Sequence, residues 1–235
     1  MNALGMALAA YHSGNEDASF TIVRDDGFEQ TVSARIFFDD TNFPALETSA
    51  LDLCRGRVLD VGAAAGRHSL ELHRRGLAVW SLDILPETRP IMLERGVPHP
   101  LVGDILSWAE GSFDTVLMLM NGIGMLGSPQ RLDEFLCHAD RLVSPGGQLL
   151  CDSIDVSTTK TPIHVAYRTR NIALGLYPGQ QRFVARYDGV TGETFDWLHI
   201  DIASLARHCS ANGWDCRQVH QEAGGHYLAR IFRAT

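Results

Sequence analysis

Apolar positions in this chain recur with two periods, and the switches between them lay out the fold. Continuous apolar runs bounded by turn formers read as strands covered on both faces. They lie at residues 57–61, 77–82, 101–102, 115–120 and 148–151. Between them apolar residues step at helical spacing. One helix is expected over 66–75, ended by Gly76, and another from Pro86 to Arg95. A third covers 130–142, with Leu132, Phe135, Leu136, Ala139 and Leu142 on one face. Alternating strands and helices need crossover connections, so this stretch predicts a doubly wound α/β sheet.

The pattern differs on either side. Residues 1–54 read as an accessory segment: a helix near 4–11, a hairpin of 20–23 and 31–32 around Asp26-Gly27, and a helix over 44–54. From 155 to 200 the alternation breaks into short β-like pieces at 165–170, 183–187 and 195–200, separated by Pro178-Gly179 and Asp188-Gly189. A helix over 202–212 and strands near 214–220 and 227–232 close the chain. The expected organisation is an accessory segment 1–54, a core 55–154, an insertion 155–200 and a completion of the core sheet 201–235.

Composition narrows the partners. A net charge of −8 without a Lys/Arg block argues against a nucleic-acid backbone or an anionic membrane. Five cysteines without a CxxC pairing fit free thiols in a reducing cytoplasm. The opening MNALGMALAA lacks the basic lead-in of a secretory leader, and no apolar run reaches membrane-spanning length. A soluble, cytoplasmic protein is expected. Ten histidines form no HExxH or short paired spacing, so no metal site is expected.

The chemistry concentrates in VLDVGAAAGR, residues 58–67. An apolar strand ends in Asp60 and runs into Gly62, Ala63, Ala64, Ala65 and Gly66, none larger than a methyl group. Backbone can approach a ligand closely there, and a helix then opens with its free amides facing the same spot. Two more acids follow strands, Asp83 and Asp104. Ligands of such sheets bind across the carboxyl ends of the strands. A nicotinamide cofactor asks for GxGxxG, but those glycine positions hold Gly62, Ala64 and Arg67; Asp83 still stands at the offset of a ribose-binding acid.

Residues 57–153 resemble the class I S-adenosylmethionine-dependent methyltransferases. The acid-x-Gly-x-Gly-x-Gly motif stands here as Asp60-Val61-Gly62-Ala63-Ala64-Ala65-Gly66, with Ala64 at the central glycine. Asp83-Ile84 matches the acid that holds the ribose hydroxyls. Gly103-Asp104-Ile105 matches the acid at the adenine amino group and its apolar neighbour. Met120 and Asn121 stand near where the family places the reacting methyl, and Pro145-Gly146-Gly147 matches the turn before strand five. The resemblance implies a seven-stranded sheet of order 3-2-1-4-5-7-6 with the last strand antiparallel, S-adenosyl-L-methionine as cofactor (S-adenosyl-L-homocysteine as product), and 155–200 as a lid over a small-molecule acceptor.

In-line methyl transfer needs alignment above all, worth about 7–11 kcal/mol. A hydroxyl or carbon acceptor also needs a base, with candidates Asp152, Asp155, Tyr167, Tyr227 and first His199. A nicotinamide-dependent oxidoreductase and a non-catalytic S-adenosylmethionine-binding partner are the alternative readings. Arg67 and His68 are electrostatically odd at a helix start. Arg67 is expected in solvent, with the cofactor carboxylate as its alternative partner. Phe37 and Phe38 are expected in the core of the N-terminal segment or closing over the site.

Overall fold

The structure, a computed structural model, describes residues 2–233. The chain opens with α1 (Ala3–His12), the strands β1 (Ser19–Arg24) and β2 (Glu29–Ser33), and α2 (Ala45–Leu53). The core follows as β3 (Arg57–Val61), α3 (Arg67–Arg74), β4 (Ala78–Asp83), α4 (Thr88–Glu94), β5 (Pro100–Val102), β6 (Phe113–Met118), α5 (Pro129–Ala139) and β7 (Val143–Ile154). Next come α6 (Pro162–Ala173), β8 (Gln180–Tyr187), β9 (Val190–Thr191) and β10 (Phe195–Leu198). The chain closes with α7 (Ile202–Ala211), β11 (Asp215–Gln221) and β12 (His226–Phe232).

Seven strands form one sheet in the order β11-β12-β7-β6-β3-β4-β5. β12 runs antiparallel to both β7 and β11, and the other pairs are parallel. This is the expected α/β sheet. Leu132, Phe135, Leu136 and Leu205 cover one face, against Leu59, Val116, Leu149 and Ile231. Leu46, Ala50, Leu51 and Leu72 cover the other, against Val58, Val79, Leu117 and Leu150. Both faces are dry, which is why these strands read as unbroken apolar runs.

The flanking segments meet in a second, antiparallel sheet of order β10-β8-β1-β2, with β9 on β8. The hairpin read at 20–32 forms, and β1 then pairs with β8, Ile22 opposite Ala185. Residues 165–170, expected to be β-like, instead lie inside α6. Pro162 sits in its first turn, where a missing N–H is harmless, and Tyr167 and Asn171 bury one face at i, i+4. Arg24 joins helix to hairpin: it forks onto Asp26 at 2.8 and 2.7 Å and lies 4.0 Å from the Tyr167 ring.

Arg67 corrects a second expectation. It is buried, not in solvent, because acceptors surround it. Its Nε donates to Asp39 O (2.7 Å), its Nη2 to Asn42 O (3.2 Å), and its Nη1 lies 3.0 Å from Glu47 Oε2. Arg95 donates to Phe38 O and Ala65 O, both at 2.8 Å. Residues 38–47 are thereby strapped to the start of α3. Phe37 packs on Phe20, and Phe38 on Tyr11, within the N-terminal clusters.

Gly66 turns the loop into α3 at φ +78°, and a Cβ there would lie 2.4 Å from Val97 Cγ2. Gly66→Ala is expected to lose about 2–4 kcal/mol from left-handed strain and overpacking together. Urea unfolding measures it, and a loss below about 1 kcal/mol would contradict the tight loop–helix contact.

Candidate functional site

The carboxyl ends of β3, β4 and β7 each finish in a buried carboxylate: Asp60, Asp83 and Asp152. A buried carboxylate needs donors, and the loops supply them. Asp83 is the best presented. Its Oδ2 accepts from Ala64 N and its Oδ1 from Leu85 N, both at 2.8 Å. To aim that amide, Ala64 adopts φ +49°, the conformation for which the family motif carries glycine. Gly62 N and Ala63 N are taken by Leu82 O. Gly62 itself is exposed at φ +74°, and a Cβ there would come 2.7 Å from Met125 Cε. Burial pushes Asp83 up to about 6 despite its two backbone donors. Each oxygen has a further lone pair for a ligand.

The other predicted contacts divide. Asp60 accepts from Ser69 Oγ (2.6 Å), which accepts from Ser81 Oγ (2.7 Å), so it fastens α3 to the sheet, and burial raises its pKa. Asp104 is half-buried and its Oδ1 accepts from Leu106 N at 3.0 Å. Ile105 is buried in the core beside Leu82 and Phe113. Exposed apolar surface next to the acids comes from Ile84, 62% exposed.

After β6 the backbone bends through two consecutive left-handed residues, Met120 (φ +63°) and Asn121 (φ +58°). The bend points Asn121 N and Gly122 N at Asp152, 2.9 and 3.1 Å away. Asp152 is therefore a brace for this turn, with burial pushing it up to about 6, and not the free base considered from sequence. Asn121 Oδ1 is buried without a partner. Near Asp152 stand Glu47 and His68. His68 Nε2 lies 2.7 Å from Glu47 Oε2, and Phe43 packs 5.7 Å from its ring. Sequence reasoning missed this buried group. The signal for it was the pair of cations at a helix start, which pointed to a distant carboxylate.

Three further base candidates are already committed. Asp155 accepts from Ser157 N, Tyr167 donates to Asp25, and Tyr227 donates to Ile200 O. His199 follows β10, its backbone N–H on Gly179 O and its Nδ1 buried without a partner. Burial first, then the neighbouring His226, Arg24 and His164, hold it down to about 4, so its imidazole is neutral at pH 7. These neighbours come from the start of β12, from β1 and from α6, and do not include Glu47, His68 or Asp152.

Residues 59–151 match the family described as methyltransferase domain. A crystal structure of a SAM-dependent methyltransferase from Bacteroides fragilis, in complex with S-adenosyl-L-homocysteine, superimposes with a TM-score of 0.88. It is 28% identical, over 100% of this chain and 95% of that one. A demethylmenaquinone methyltransferase from Tropheryma whipplei is 27% identical over 190 residues, 77% of each chain. A ubiquinone biosynthesis O-methyltransferase from Xanthomonas oryzae is 28% identical over 116 residues, 46% of this chain and 47% of that one.

Glu47 faces the buried Arg67 and His68, and its removal leaves the Arg67 guanidinium without its carboxylate and His68 Nε2 without its partner. Glu47→Ala is expected to destabilise by about 3–5 kcal/mol. Protease cleavage within 38–47 should accelerate as the strap loosens; unchanged stability and cleavage would refute the clamp.

Proposed function

We propose a specific acceptor for this chain, which is a class I S-adenosylmethionine-dependent methyltransferase: an apolar aromatic molecule with an ionisable hydroxyl, of the phenol or hydroquinone class. Its cofactor is S-adenosylmethionine, and its acceptor is a small molecule. The cofactor supplies a sulfonium-bound methyl group that is already activated, so the protein's work is to align the acceptor and take up its proton.

The residues at the strand ends fit an adenosyl group. Asp83, fixed by Ala64 N and Leu85 N, has lone pairs for a vicinal diol, and Ile84 offers an apolar surface beside it. Gly62 lets Met125 pack against the loop, where a Cβ would lie 2.7 Å from its Cε. Asp60, Ala63 and Gly66 set the loop's shape, and Asp104 and Ile105 stand at the end of β5. Asn121 Oδ1, a buried acceptor without a donor, is left for a ligand N–H or O–H. The presentation of Asp83 is the observation that carries the reading. The nicotinamide alternative gives way because the place of the third glycine is filled by Arg67, tied into the strap; the methyltransferase relatives favour an enzyme over a non-catalytic partner.

Two things support the acceptor class. The lid sheet carries Phe195, packed on Phe183 of β8 and on Trp197, in the strand just before His199. The relatives from T. whipplei and X. oryzae are named for quinone-type molecules. His199, with its unpartnered Nδ1, is assigned the acceptor's proton. The net charge of −8 supports a small molecule rather than a nucleic acid, and the five free cysteines support a cytoplasmic setting. No helix among the described residues is long and apolar enough to cross a membrane.

Calorimetry with S-adenosyl-L-homocysteine tests the cofactor half. Micromolar binding is expected, weakened at least 100-fold by Asp83→Ala. The diol must meet a carboxylate, so affinity should fall by up to tenfold per pH unit as Asp83 protonates below about 6. Full affinity in the alanine variant would sink the assignment. Transfer of radiolabelled methyl to a panel of catechols and hydroquinones tests the acceptor half. His199→Ala is expected to lower kcat by about 10²–10⁴ with the KM for the cofactor unchanged. In the wild type the acid limb from this group should fall near pH 4, because His199 is neutral above it. Turnover within threefold of wild type would remove His199 from the mechanism.

A further inference from the structure

The transfer site occupies the carboxyl ends of the parallel strands. At the other end of β12, on the edge of the sheet, Arg217 stands directly across from Arg230 in the β11–β12 ladder. Like charges in that position repel and destabilise the pairing. Both guanidinium carbons lie 5.1 Å from the ring centre of Phe232, so one aromatic ring serves two cations. Arg233 follows, held by Asp140 and 4.3 Å from the Trp214 ring. Arg217, Arg230, Phe232 and Arg233 line an open hollow of about 350 Å³, flanked by Gly146 and Gly147, with Asp215 as its one acid. Among the described residues, Asp140 is the carboxylate paired with these arginines, and it is taken by Arg233. Arg230 Nε is buried without a partner.

Arg217 is exposed and Arg230 half-buried, but the Arg230 Nε is shielded from solvent with no acceptor, and the two opposed cations have no carboxylate between them. An oxyanion with several acceptor oxygens relieves both at once, because guanidinium forks match phosphate oxygens bidentately. We propose that this hollow is a second ligand site, which binds a soluble phosphate-bearing dianion apart from the methyl-transfer centre. Arg230 pairs with Leu150 in β7, whereas Asp152 lies two residues further toward the transfer site. The two sites thus share β7 without sharing a residue.

The test is titration of the full chain in phosphate-free buffer at pH 7.5 with inorganic phosphate and pyrophosphate, against sodium chloride at matched ionic strength. Pyrophosphate is expected to bind with Kd below about 1 mM and to raise Tm, where chloride does not. Arg217→Gln and Arg230→Gln should each weaken binding at least tenfold. Arg131→Gln, at an exposed position of α5, should leave it unchanged. Without phosphate the double variant should melt at or above the wild-type temperature, because a like-charge pair has been removed; this separates lost binding from lost folding. Affinity for S-adenosyl-L-homocysteine should be untouched in both variants. Vesicles containing phosphatidic acid form a separate arm, and no co-sedimentation is expected. Pyrophosphate binding that survives both substitutions, a response that chloride reproduces, or binding confined to the vesicles would overturn the proposal.

Discussion

Carboxylates buried at the ends of parallel strands are the constraint around which this molecule is arranged. Asp60, Asp83 and Asp152 stand where β3, β4 and β7 stop, and each is nearly inaccessible. A carboxylate in that position must find donors or give up its charge. The chain finds donors by bending its loops into conformations that most residues avoid. Ala64, Met120 and Asn121 all carry positive φ, and two of these bends end in an amide on a carboxylate, Ala64 on Asp83 and Asn121 on Asp152. Each such residue costs roughly 1–2 kcal/mol. A packed sheet covered on both faces is stiff enough to hold that strain, so the loop geometry follows from the core.

The strap adds a second tie between distant parts of the chain. Arg67 reaches back to Asp39, Asn42 and Glu47, and Arg95 to Phe38. In the same way β1 pairs with β8, so the N-terminal hairpin and the insertion after β7 form one sheet. What a linear reading divides into an accessory segment and an insertion is one layer over the carboxyl ends of the core. The insertion is therefore tied to the N-terminal hairpin through the hydrogen bonds of the β1–β8 ladder.

This explains what the sequence could and could not disclose. The core strands, their terminal acids and the small-residue loop are local features, each written in fewer than ten consecutive residues. The Asp26-Gly27 turn is equally local, and its hairpin forms. The clamp was hidden because Glu47 stands 20 residues before Arg67; only the unfavourable charge at the start of α3 hinted at a partner. α6 was misread because Val165, Tyr167 and Thr169 alternate with other residues as a strand would. Tyr167 and Asn171 also satisfy helical spacing, and burial of that face decides between the periods. The pairing of β1 with β8 spans most of the chain and leaves no trace in composition.

Titration connects the site to the stability of the fold. Asp83 and Asp152 both sit near 6 in the folded chain, well above their value of 3.8 when unfolded. A raised folded pKa means that the native state binds more protons between those limits. The contribution of these two groups to stability is full below about 3.8 and is lost as pH rises through 6. Asp26 and Glu71 act in the opposite sense. Bonds from Arg24 and Arg75 depress them, and their contribution is lost as pH falls. At neutral pH, then, the paired surface acids hold the fold together while the carboxylates at the strand ends work against it. A ligand that donates hydrogen bonds to Asp83 favours its charged form and reverses part of that penalty. The binding site is thus a place where the unliganded fold is under electrostatic strain, and affinity for the cofactor includes the release of that strain.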